Sequence, residues 1–95
     1  MIDVTLSADD TQGAAVSLGS LNPDAVALVE LLDRHDPNIR RTLVRVTLTF
    51  GREIIVALHG AQLTSDRDEH LRRYQEFTRA LVQAKSPLAA LSAEN

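Results

Sequence analysis

Apolar and polar residues alternate along Ile2–Ser7, with Ile2, Val4 and Leu6 on one face and Asp3, Thr5 and Ser7 on the other. Period two with β-branched residues predicts a half-buried strand. The polar stretch from Ala8 to Gly13 predicts a turn. Val16 and Leu18 then alternate with Ala15 and Ser17, a weaker strand closed by Gly19-Ser20. On this reading Val16 and Leu18 face the core, while Ala15 and Ser17 join Thr5 and Ser7 on the reverse face.

Asn22-Pro23-Asp24 carries the signals of a helix start: a capping Asn, Pro at the first helical position and an early acid. Leu21 and Val26 are spaced as a hydrophobic staple. Ala25, Leu28, Val29 and Leu32 fall on one helical stripe, so an amphipathic helix is expected through Arg34. Asp36-Pro37-Asn38 predicts a turn.

The clearest strand spans Arg41 to Phe50, where Val44, Val46, Leu48 and Phe50 alternate with Leu43, Arg45, Thr47 and Thr49. Glu53 to His59 follows, with Ile54, Val56 and Leu58 on one face. A two-residue Gly51-Arg52 loop would split the aliphatic side chains between faces. A three-residue Phe50-Gly51-Arg52 loop pairs Leu48 with Ile54, Val46 with Val56 and Val44 with Leu58, and gathers them on one face. That register is the expected one. A second helix is predicted from Asp66 to about Ala84, capped by Ser65, with the stripe Leu71, Tyr74, Phe77, Thr78 and Leu81. Asp68–Arg72 and Glu69–Arg73 are favourable i,i+4 pairs. Ser86-Pro87 ends the helix, and residues 86–95 form a short tail whose docking is left open.

The expected fold is therefore α+β. A ββα unit over 1–35 and another over 41–84 form one domain of 1–95, with a four-stranded, mainly antiparallel sheet and two helices packed on one face. Val4-Thr5-Leu6-Ser7 resembles Val46-Thr47-Leu48-Thr49, the pattern a duplication would leave.

Composition narrows the class. Aromatic residues are 3 % of the chain, so the core is aliphatic. The absence of cysteine excludes disulfides, thiolate metal sites and cysteine nucleophiles, and points to a cytoplasmic setting. Met1-Ile2-Asp3 opens no export signal, and no apolar run is long enough to span a membrane. A net charge of −3 disfavours a general nucleic-acid binder.

No motif for nucleophilic or phosphate chemistry occurs. His59 and His70, with Asp66, Asp68 and Glu69 nearby, are the only candidates for a small metal-dependent enzyme. First-turn acids and a packing His70 account for the same residues. Arg40, Arg41, Arg45 and Arg52 gather on or beside the central hairpin and offer a nucleic-acid alternative, though without stacking aromatics. The positive signal is the reverse sheet face. Leu43, Arg45, Thr47, Ile55 and Ala57, flanked by Arg40 and Arg41, are the candidate contact residues for a protein partner or a homodimer. The sequence thus predicts a non-catalytic cytoplasmic interaction protein, a regulator, adaptor, immunity or accessory protein, acting through the open sheet face, an edge strand or the C-terminal tail. It predicts no cofactor and no metal.

Overall fold

The two most regular alternating runs pair with each other. The computed structural model describes residues 1–11, 13–32 and 41–85. Within it β4 (Leu43–Leu48) and β5 (Glu53–Ala57) form an antiparallel hairpin in which Val44 faces Val56 and Val46 faces Ile54. The aliphatic residues share one face as expected, but the partners are shifted by two residues. The loop is Thr49-Phe50-Gly51, closed by the Leu48 N–H donating to Arg52 O at 2.7 Å and the Gly51 N–H to Leu48 O at 2.9 Å. Gly51 has φ +91°, a conformation that a side chain disfavours, so the glycine fits the last loop position. An even shift leaves each side chain on its face, so burial of that face alone does not distinguish the two registers.

Around this hairpin lies one five-stranded antiparallel sheet. β1 (Ile2–Ser7) pairs with β5 on one side and with β2 (Val16–Leu21) on the other, while β3 (Val26–Leu31) pairs with β4. The order is β2-β1-β5-β4-β3. A single helix, α1 (Arg67–Ala84), covers one face. The expected four strands and two helices are corrected to five strands and one helix among the described residues. The first ββα unit is therefore not a copy of the second.

The missing helix is β3. Its start signal is used for one turn only. The Asn22 side chain accepts from the Asp24 N–H at 3.1 Å, and the short 3-10 turn Pro23–Ala25 ends where Val26 N–H reaches Pro23 O. A bulge between Val26 and Leu28 then inserts one extra residue. Val26 and Val29, three apart as on a helix, thereby both reach the core side of a strand, together with Leu31. The expected stripe is broken up: of Ala25, Leu28, Val29 and Leu32, Val29 packs against the core while Leu28 is 50 % exposed. β4 also demands a partner: Val44 and Val46 are fully buried, and backbone groups beside them need hydrogen bonds. The remainder of the expected helix, the Asp36-Pro37-Asn38 turn and the tail 86–95 lie outside the described residues.

β2 reverses the expected facing. Val16 is opposite Ser7 and Leu18 opposite Thr5, so both point to the reverse face. Ser17, Gly19 and Leu21 occupy the core side. There Leu6 folds over Gly19, with its Cδ1 only 2.8 Å from where a Cβ would stand. A Cβ there would have to push aside the end of the Leu6 side chain, so the position favours glycine. The loop before it is held by Asp9, whose carboxylate accepts from the Thr11 N–H at 2.8 Å.

The core consists of Val4, Leu21, Val44, Val46, Val56, Leu58 and Leu81, with Tyr74 and Phe77 packed against it. Burying a Val or Leu is worth about 1.5–3 kcal/mol relative to exposure. α1 is capped by Asp66 rather than Ser65: its side chain accepts from the Asp68 N–H at 3.0 Å. Its inner face carries His70, Arg73, Tyr74, Phe77 and Leu81, whereas Leu71 turns outward. No helix among the described residues is long and apolar enough to cross a membrane.

Candidate interaction surface

Alternation along five strands decides what the reverse face offers. Arg45, Thr47 and Ile55 are half-buried there. Leu43 and Ala57, paired across β4 and β5, keep only 2 % and 1 % of their surface exposed. The centre of the face is therefore not open at those two residues. Arg45 Nε lies 3.9 Å from Glu53 Oε2, and Arg41 donates from Nη1 to the Ala14 carbonyl at 2.5 Å. Arg40 lies outside the described residues. Arg41 and Arg45 each have a nearby acceptor or acid, and only Arg52 of the described hairpin arginines is fully on the surface.

The histidines take separate partners. His59 Nε2 lies 3.2 Å from Glu76 Oε2. Its backbone, at φ +55°, is in the left-handed region where the chain leaves β5. His70 is buried against β4, with Nδ1 2.6 Å from Thr42 Oγ1 and Nε2 3.0 Å from the Thr64 carbonyl. A carbonyl only accepts, so Nε2 carries hydrogen toward Thr64. In the neutral ring Nδ1 then accepts from the Thr42 hydroxyl. Thr42 in turn receives Arg73 Nη1 at 3.2 Å, and the same nitrogen reaches Gln62 O at 2.8 Å. Among the described residues no buried side-chain polar atom lacks a partner, and no group of three metal-ligating side chains converges.

This network is consumed by the fold. It ties the start of β4, the 62–64 segment and α1 together. Arg73 is 5 % exposed, and Thr42 is 31 residues away along the chain, so no local pattern marks the arginine as buried. At the helix start Glu69 is bound by Arg72 and by Arg73 Nε at 3.1 Å. The hydrogen bond from Arg72, opposed by partial desolvation and reinforced by Arg73, holds the Glu69 carboxyl down to about 2. Arg72 is correspondingly pushed up by Glu69.

The open surface is at the sheet edge. Leu18 is 89 % exposed and Val16 44 %. A shallow hollow of about 450 Å³ runs beside Leu18, lined by Asp3, Val4, Thr5, Gly19 and Ser20. The Ala8 N–H donates to Ala15 O at 2.8 Å, which makes that facing pair a hydrogen-bonded one. Alternation along an antiparallel ladder then turns the backbone groups of Ser17, Gly19 and Leu21 toward β1. Those of Val16, Leu18 and Ser20 point away from it, where no strand lies among the described residues. An edge strand is among the expected contact routes, but not this one, because Val16 and Leu18 read as core. The available signal was Gly19, a strand glycine that marks a close approach on its own side.

No protein-family model, curated protein or solved structure matches the chain.

Proposed function

We propose that the protein is a non-catalytic interaction module that recruits a protein partner by strand addition at β2. One observation carries this reading: a leucine 89 % exposed in the middle of an edge strand that has no charge, no proline and no bulge. Edge strands are ordinarily blunted by such features, since unpaired N–H and C=O groups recruit any extended chain. Backbone hydrogen bonds would supply affinity, and the hollow beside Leu18 would select the side chain that enters it. The reverse-face residues Arg45, Thr47 and Ile55 extend the same side of the sheet toward its centre. A cytoplasmic setting belongs to this reading and is supported by the cysteine-free sequence.

The test is affinity capture from the native lysate with wild-type, Leu18→Lys and Leu28→Lys baits, followed by quantitative mass spectrometry. A protein retained by wild type and Leu28→Lys but lost with Leu18→Lys is the expected result; here the chain itself counts as a protein partner. Identical capture by all three baits would remove the reading.

A further inference from the structure

We infer that the strand added to β2 is β2 of a second copy of this chain, giving a two-fold dimer with one continuous ten-stranded sheet. This rests on the strand-addition reading above and specifies its partner.

The outward backbone groups are those of Val16, Leu18 and Ser20, a set symmetric about Leu18. Antiparallel pairing about a dyad at Leu18 sets Leu18 against Leu18 of the second copy, and Val16 against its Ser20. Each facing pair then exchanges two backbone hydrogen bonds, because all three residues present both N–H and C=O outward. The dyad runs perpendicular to the sheet, so the reverse faces of both copies continue into each other. The two exposed leucines meet side by side on that face and leave water together.

The core side permits this approach. Ser17 and Gly19 flank the dyad there, each facing the other residue type in the second copy, and neither projects a large side chain. Charge also permits it. Val16–Leu21 contains no ionisable side chain, so self-pairing brings no like charges into register. The assembly closes at two copies because the other edge, β3, is interrupted by its bulge and carries Glu30.

Multi-angle light scattering and sedimentation over a concentration series test the proposal. Wild type is expected to reach twice the 10.4 kDa chain mass. Leu18→Lys is expected to weaken association by more than about tenfold, since it removes the leucine contact and opposes two ammonium groups. Leu28→Lys at the other edge should associate like wild type. Mixing Leu18→Lys with Leu18→Glu should restore a dimer, because only a Leu18-to-Leu18 register places those charges opposite each other. Amide exchange should show Val16, Leu18 and Ser20 protected in the dimer and exchanging fast in Leu18→Lys.

Three results would overturn the dimer: a monomeric wild type, a Leu18→Lys variant that still dimerises, or a charge mixture that stays monomeric. A monomeric wild type that still captures a different protein in a Leu18-dependent manner would reject self-pairing and leave strand addition standing. A monomer with no Leu18-dependent partner would reject both.

Discussion

The sheet has two edges, and they are built differently. β3 is bulged between Val26 and Leu28, carries Glu30 opposite Arg45, and follows a proline turn. It is also held from above: Tyr74 on α1 donates its hydroxyl to the Val29 carbonyl at 3.3 Å. β2 has none of these features. It is straight and uncharged, and its Leu18 and Val16 point into solvent. One edge is closed by the fold, and the other is anchored by its pairing with β1, by Leu21 in the core and by Leu6 folded over Gly19. An edge left unblunted on one side alone is directional, so added chain has one place to go.

The contrast can be broken most strongly by charge. Val29→Asp buries a carboxylate beneath α1 and should destabilise the monomer by about 2–4 kcal/mol. Ser17→Asp on β2 should stay within about 0.5 kcal/mol. Urea denaturation of both variants, at concentrations where the chain is monomeric, measures the difference. Equal costs would mean that the two edges are equally supported.

Thr42→Val attacks the fastening of the helix. It leaves His70 Nδ1 and one Arg73 bond without the hydroxyl. A loss of about 1–3 kcal/mol is expected, with faster amide exchange in β3 and little change in β2. Tyr74→Phe is the milder form, removing only the bond to Val29, and should cost about 0.5–1.5 kcal/mol with the same pattern of exchange.

The smallest effect concerns acid. Glu69 is held at about 2 in the folded chain against an ordinary value of 4.5. A depressed carboxylate stabilises the fold above the unfolded value and loses that contribution as pH falls. The window runs from about 4.5 down to about 2. Glu69→Gln should therefore flatten the pH dependence of the unfolding midpoint across it. Retention of the wild-type slope would remove Glu69 from the account.

How much was legible follows the same division. β1, β4, β5 and α1 could be read because each has one apolar face and its own period, a local property. The helix expected after Asn22-Pro23-Asp24 failed because residues 25–32 are apolar at nearly every position, so a helical stripe and a bulged strand face can both be drawn through them. Only the unpaired side of β4 selects between them. Burial of Leu43 and Ala57 on the reverse face was equally invisible, since alternation assigns a side but not what covers it. For β2 the alternation pointed the wrong way: Val16 and Leu18 face away from the core, while Ser17, Gly19 and Leu21 face it.

By itself, the sequence determined the elements whose side chains repeat with one period, the aliphatic core face of the central hairpin, and the absence of thiol chemistry. Tertiary structure decided which way β2 faces, where Arg73 finds its partners, and which edge stays open. The physical reason is range. Periodicity and caps act within a few residues. Leu6 over Gly19, Arg73 on Thr42 and β3 beside β4 are contacts between segments that lie apart along the chain, which no local pattern announces.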